Sequence, residues 1–226
     1  YDSRSSNYNS FAHKKIEVQS FCVMQEHEVI KILKESLNFS DKSIIKLKSF
    51  AKSLIAANNK HNFISKSTEP DLWHRHILDS AQLVKFIDFK EGSLADLGSG
   101  AGFPGIVLGI FNENKDFHVK LYEKSPVKRS FLENIIRELD INADILKNVY
   151  DEAIESDFIV CRAFKKLDQV IQVSREIAKK PNKLIVLKGK NALEELNKAF
   201  KKEKYPYKIE MSMTSKESKI IIINFN

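Results

Sequence analysis

Apolar residues keep a helical period up to about residue 90 of this 226-residue chain and a strand-like one beyond it. From Glu26, the side chains of Val29, Ile30, Leu33 and Leu37 share one helix face. Ser40-Asp41 offers an N-cap for a second helix, with Ile44, Ile45, Leu47, Phe50, Ala51, Leu54 and Ile55 on its apolar side; Asn58-Asn59 is expected to end it. A third helix is predicted from Glu69-Pro70-Asp71, where proline suits a first turn, and carries Leu72, Trp73, Ile77, Leu78, Ala81 and Leu83. Residues 1–23 are Ser/Asn-rich and patternless and read as a flexible extension. Residues 24–90 then form an N-terminal helical subdomain.

Beyond Gly92, short β-rich runs fall at 93–97, 117–122, 144–149, 158–161 and 183–187, and helical stretches at 104–111, 126–139, 167–179 and 191–202 separate most of them. Alternation of this kind means right-handed crossovers and a parallel, doubly wound sheet. The end breaks the rule. Runs at 208–213 and 219–225 are joined by only Thr214-Ser215-Lys216-Glu217-Ser218, too short for a crossover helix, so they form an antiparallel hairpin. The fold class is therefore α/β over residues 91–226: a Rossmann-like, mostly parallel sheet that closes on a hairpin. That is the class I methyltransferase architecture, not that of a nicotinamide domain, which ends in another crossover.

Composition changes this picture little. Hydrophobic residues at 42% and charged ones at 30% describe an ordinary globular chain. No apolar run approaches the roughly 20 residues that span a bilayer, and no signal-like apolar stretch is evident near the start. Cys22 and Cys161 make no disulfide framework, which points to a reducing cytoplasm. The six histidines form no ligand pattern with cysteine, and no metal is expected. The net charge of +7 is spread over both parts of the chain, so any nucleic-acid footprint must come from local placement.

Glycine is where the candidate chemistry lies. Five of the chain's seven glycines fall between residues 98 and 109, behind an apolar run that ends in Asp96 and ahead of another that starts at Ile106. Strand, tight glycine loop, helix: backbone here can approach a ligand with no side chain in the way. Gly100-x-Gly102-x-x-Gly105 satisfies a dinucleotide fingerprint, and Asp96-x-Gly98-Ser99-Gly100-x-Gly102 satisfies that of S-adenosylmethionine binders. A pyrophosphate wants bare amides, and Phe103-Pro104 would crowd it at the first helical turn. S-adenosylmethionine carries a sulfonium and an ammonium, for which Asp96 is useful. The loop and the terminal hairpin together favour the methyl donor. Glu123, closing the second strand, suits ribose hydroxyls. At the end of the third strand, the backbone and ring of Val149-Tyr150 suit adenine, or simply pack.

The segments His61-Asn-Phe-Ile64, Trp73-His-Arg75-His76-Ile-Leu-Asp79-Ser80, Asp96-Leu-Gly-Ser-Gly-Ala-Gly-Phe-Pro-Gly105, Arg162-Ala-Phe164 and Leu187-Lys-Gly189 occur in this order. From about residue 26 onward the chain resembles the RsmG/GidB family, bacterial methyltransferases acting on guanine N7 in 16S ribosomal RNA. The resemblance implies S-adenosylmethionine as cofactor, a donor site at Gly98, Phe103, Val149-Tyr150 and Arg162, and 16S rRNA or a small-subunit particle as partner. Two positions depart from the family pattern: Asn148 and Ser218-Lys219 stand where arginine is usual.

Guanine N7 has a lone pair and no proton, so its methylation needs no general base. The chain lacks the Asn/Asp-Pro-Pro-aromatic run of exocyclic-amine methylation, and Cys161 reads as core. No catalytic acid or base is assigned. Arg162, just past the fourth strand, either pairs an acid at the surface or orients the donor or guanine O6. Ligands of such sheets bind at the carboxyl ends of the strands. There the chain sets Lys124, then Lys165 and Lys166, then Lys188 and Lys190, a basic rim which with Arg75 suits RNA phosphates. Arg75 and Asp79, four apart, can pair on one helix face, and Trp73 reads as core. The expectation is a cytoplasmic, monomeric S-adenosylmethionine-dependent rRNA guanine-N7 methyltransferase with no membrane partner. A methyltransferase of another RNA, a nicotinamide-dependent oxidoreductase and an inactive RNA-binding module are the alternatives.

Overall fold

The computed structural model describes residues 24–151, 153–178, 182–201 and 204–225. The extension over 1–23, with Cys22, lies outside them. Helices α1 (Glu26–Leu37) and α2 (Asp41–His61) open the fold, and Ser40 caps α2 by accepting from the Ser43 amide at 3.0 Å. The helix α2 runs through Asn58-Asn59, where it was expected to stop. Asn58 is buried and serves as a tertiary tie: its amide donates to Glu69 Oε2 at 2.5 Å and its carbonyl accepts from the Ile64 amide at 2.9 Å. Left-handed Asn62 ends the helix instead.

The predicted third helix is a composite. A 3-10 turn at Glu69–Asp71 leads to π-helix at Trp73–Leu78, one turn of α3 (Asp79–Ala81) and a second 3-10 turn at Gln82–Phe86. A π-turn is rare and is used mostly near functional sites.

The sheet alternates with helices as the pattern predicts: β1 (Gly92–Leu97), α4 (Gly105–Phe111), β2 (Phe117–Tyr122), α5 (Pro126–Leu139), β3 (Ala143–Leu146), β4 (Phe158–Arg162), α6 (Leu167–Ile177), β5 (Asn182–Lys188), α7 (Ala192–Ala199), β6 (Tyr207–Met211) and β7 (Lys219–Phe225). The strand β3 stops at Leu146, so Val149-Tyr150 lies in the turn beyond it and not at its end. Strand order is β3-β2-β1-β4-β5-β7-β6. The first five pair in parallel; β7 runs antiparallel to β5 and forms the terminal hairpin with β6. Strand order reverses between β1 and β4, and the crevice at such a switch point is where open α/β sheets bind ligands.

Two apolar layers sandwich the sheet. On one face the side chains of α1, α2, α4 and α5 form a continuous core with Leu94, Val119 and Leu121; on the other, those of α6 and α7 pack on Ala95, Ile159 and Val186. The residues read as a helical subdomain thus share a core with the sheet. Among the described residues no helix is long and apolar enough to cross a membrane.

Candidate donor and acceptor site at the switch point

The glycine loop leaves β1 at the switch point and is pinned from both sides. The amides of Gly98 and Ser99 donate to Tyr122 O of β2, at 2.9 and 3.0 Å. The Gly100 amide donates to Glu123 Oε2 at 2.9 Å, and the Ser125 amide to Glu123 Oε1 at 2.7 Å. Gly98, Gly100 and Gly102 all have positive φ, but their surroundings differ. A side chain at Gly98 would meet the Phe164 ring at 2.6 Å, and one at Gly102 would meet Ile106 at 2.8 Å. A Cβ at Gly100 would meet no protein atom nearer than 3.8 Å. The bare backbone that can receive a ligand is therefore at Gly100, beside the Glu123 carboxylate, whose remaining lone pairs suit ribose hydroxyls.

Asp96 does not line this surface. It is fully buried, and its Oδ2 accepts from the Gly105 amide at 3.0 Å, so it shapes the loop where direct contact with the donor's cations was expected. Its Oδ1 is buried without a hydrogen-bond partner. Burial pushes the carboxyl up to about 7, against the opposing pull of the Ser99 and Gly105 hydrogen bonds. A buried carboxylate oxygen of this kind under the loop fits a cationic ligand above it. Ser99 is also buried, its hydroxyl donating to Asp96 O at 3.2 Å. Phe103 points inward, 3% exposed, against Phe50 and His76. Its ring thus packs behind the loop, in the wall of the site. Val149 is buried and offers only backbone, whereas Tyr150 is 47% exposed, with the amines of Lys124 and Lys165 5.9 and 5.3 Å from its ring centre.

Arg162, at the end of β4, is the hub of a polar cluster. Its Nη1 donates to Arg75 O at 3.1 Å and to Asp79 Oδ2 at 3.5 Å, and its Nη2 lies 2.8 Å from His76 Nδ1. The guanidinium also covers the Phe103 ring, 5.0 Å from its centre. Arginine only donates, so His76 Nδ1 accepts and its proton sits on Nε2, which donates to Thr68 Oγ1 at 3.0 Å. Burial, and then the charges of Arg162 and Arg75, hold His76 down to about 3, a neutral ring. Burial likewise lowers Arg162 from its ordinary value, and Asp79 opposes the shift.

Asp79 was expected to pair with Arg75 along its own helix. It turns to Arg162 instead, and its Oδ1 accepts from Thr214 Oγ1 at 2.8 Å, Gln82 Nε2 at 3.0 Å and Ser212 Oγ at 3.5 Å. The cluster thus ties the N-terminal segment, the switch point and the hairpin loop together. Nothing in the sequence pointed to Ser212 and Thr214; only the i, i+3 spacing of Asp79 and Gln82 was visible.

Of the basic rim, Arg75, Lys124, Lys166 and Lys190 are exposed. Lys165 is half-buried and donates to Tyr150 Oη at 3.0 Å. Lys188 turns inward: only 11% exposed, it donates to Lys165 O at 2.6 Å and pairs with Glu195 at 2.8 Å, so it is not free to meet RNA phosphate. A larger cleft of about 820 Å³, lined by residues such as Asp168, Arg175, Lys198 and Tyr205, touches none of these groups.

Residues 43–222 match the family model of rRNA small subunit methyltransferase G, GidB. The chain belongs to this family. Among curated relatives, it is 38% identical over 189 residues to the ribosomal RNA small subunit methyltransferase G of Rickettsia akari, covering 83% of this chain and 97% of that protein. It is 33% identical to the protein of the same name from Pelagibacter ubique, over 84% of this chain and 92% of that one. Solved structures share the fold at low identity. A SAM-dependent methyltransferase from Aquifex aeolicus matches with TM-score 0.54 and 15% identity, covering 71% of this chain and 96% of that one. The precorrin-6y C5,15-methyltransferase of Geobacter metallireducens matches with TM-score 0.52 and 11% identity, over 74% and 92%. The GidB signature therefore sits at the switch point of a methyltransferase sheet, with the antiparallel β7 where a nicotinamide domain would have another crossover strand.

Proposed function

We propose that this GidB-family chain transfers a methyl group from S-adenosylmethionine to N7 of a guanine in the 16S ribosomal RNA of the small subunit. The observation that supports N7 is that the histidine, the aspartate and the cysteine beside Arg162 are already committed. His76 is neutral with both ring nitrogens engaged, Asp79 accepts from four donors, and burial pushes the Cys161 thiol up to about 12. None of them is poised to take a proton or to attack a pyrimidine carbon. Guanine N7 asks for neither. Bound S-adenosylmethionine supplies a methyl on a sulfonium, so the N7 lone pair forms the new bond, the S–C electron pair stays on sulfur and the positive charge passes to the purine.

The protein's contribution is alignment and electrostatics. Gly100 and Glu123 hold the ribose side of the donor, and the Val149 backbone with the Tyr150 ring holds its adenine. The buried Asp96 carboxyl under the loop balances the donor's charge. Arg162, clamped by Asp79 and His76, fixes the acceptor side of the crevice, while Arg75, Lys124, Lys166 and Lys190 meet RNA phosphates. In this reading the protein works as a monomer in the cytoplasm, where its ribosomal substrate is. The test is transfer of tritiated methyl to small-subunit particles from cells lacking this gene product, with mass mapping of the modified base. The expected product is 7-methylguanine; label on a pyrimidine or an exocyclic amine, or no transfer at all, would overturn the reading.

A further inference from the structure

The polar cluster around Arg162 leaves the Lys188–Glu195 ion pair without a part in the reaction. That pair faces a cavity of about 300 Å³ at the carboxyl ends of β4 and β5, lined by Asp79, Arg162, Ala163, Lys188, Gly189 and Glu195 among others. Arg162 and Leu187 are register partners on those strands, and β4 is the neighbour of β1. The cavity thus opens one strand over from the glycine loop, a step of about 5 Å. Its volume is at the low end for small-ligand sites, which suits a single base.

The pair keeps one unspent site of each kind. Lys188 has three N–H donors and uses two, on Lys165 O and Glu195 Oε2. Glu195 Oε2 also accepts from the Leu167 amide at 2.8 Å, which fixes the carboxylate at the start of α6. Among the described residues, no donor reaches Glu195 Oε1 within hydrogen-bond distance. A donor and an acceptor therefore stand side by side in a partly buried ion pair.

We propose that Lys188 and Glu195 read the acceptor base, admitting guanine and rejecting adenine; this rests on the reading of the acceptor as a guanine. On its Watson–Crick edge guanine sets the O6 acceptor beside the N1–H donor, and the Lys188 N–H and Glu195 Oε1 complement the two in that order. Adenine reverses the order, an amine donor beside a bare N1, so donor meets donor and acceptor meets acceptor. Such a mismatch sets like against like at both positions and leaves charged groups unpaired, which discriminates strongly. Recognition by this edge leaves the N7 lone pair, on the Hoogsteen edge beyond O6, unoccupied and able to face the donor.

Two variants test the assignment. Glu195→Gln keeps an oxygen for the Leu167 amide but puts an N–H donor against guanine N1–H. Gly189 lines the cavity and lies outside the left-handed region, and a Cβ there would meet no protein atom within 4 Å, so Gly189→Leu adds bulk at the cavity rim without backbone strain. Wild type and both variants are assayed for kcat/KM on unmodified small-subunit particles, and for S-adenosylmethionine affinity by calorimetry. Once the nucleotide is mapped, RNA carrying adenine at that position is assayed alongside. Each variant is expected to bind the donor within about twofold of wild type and to lose about 100-fold or more in kcat/KM on guanine. The guanine-to-adenine preference should collapse in Glu195→Gln, a readout that a merely structural defect would not move. Folded variants that methylate guanine at the wild-type rate would overturn the pocket while leaving the N7 reading in place. A wild-type protein that methylates no guanine would overturn both. If Glu195→Gln does not fold, Gly189→Leu decides alone.

Discussion

Gly98 and Gly100 share a left-handed backbone, at φ +76° and +58°, and differ in what surrounds them. At Gly100 an added methyl pays only for conformation, about 1–2 kcal/mol. At Gly98 it must also displace the Phe164 ring, which stands 2.6 Å from the methyl position. Gly98→Ala should therefore lower the melting temperature more than Gly100→Ala; equal losses in thermal melts would show that Phe164 does not brace the loop. Asp96 yields a second test at this scale. Burial holds its carboxyl near 7, and a sulfonium and an ammonium bound above the loop favour the ionised form. Binding of S-adenosylmethionine near pH 7 should therefore release part of a proton, seen by calorimetry in buffers of different ionisation enthalpy. Asp96→Asn should abolish the release, and S-adenosylhomocysteine, which has no sulfonium, should reduce it. A release that persists in Asp96→Asn would assign the proton elsewhere.

The end of β1 and the π-turn at Trp73–Leu78 carry two groups, one fully and one partly buried, whose effects on stability oppose each other. His76 falls from its ordinary 6.5 to about 3, so between those values the unfolded chain binds the extra proton, and its contribution is lost as pH falls through that window. Asp96 rises from 3.8 to about 7, so between those values the folded chain binds the extra proton, and its contribution is lost as pH rises. From about pH 4 to 6.5 the two slopes cancel. His76→Gln should expose the Asp96 slope, with stability falling as pH rises; Asp96→Asn should expose the opposite one. Denaturant midpoints across pH 4–7 check the signs, and two parallel profiles would sink the assignment. Neither shift was legible in the sequence, because each comes from enclosure by distant elements. The elements themselves were. Strands β1, β2, β4 and β5, helix α5 and the terminal hairpin follow directly from apolar runs and their spacing. The π-turn did not, since over six residues its period is hard to tell from an α-helix. Asn58 misled because its side chain is spent on Glu69 and Ile64, not on ending its own helix.

Over the whole molecule, the net charge of +7 says little until the lysines are sorted by what holds them. The rim seen in the sequence was right about which loops carry charge and blind to which charges are spent. Lys188 and Glu195 are seven apart, across a loop from strand end to helix, and no periodicity announces their contact. The exposed set is Arg75, Lys124, Lys166 and Lys190, from four separate loops or turns that converge on the carboxyl edge of the sheet. Cations that meet phosphates release counterions, and each phosphate contact to single-stranded RNA steepens the fall of log K with log salt by about 0.7. Replacing these four by glutamine should therefore weaken RNA binding and flatten that slope by about 3. Lys188→Gln should leave the slope alone, because its ammonium faces Glu195 and not solvent, but should lower the melting temperature by stranding a partly buried carboxylate. Anisotropy titrations of a 16S fragment from low to physiological salt separate the two. An unchanged slope in the fourfold variant would remove these residues from the RNA interface, and a flattened one in Lys188→Gln would place that lysine on a phosphate after all.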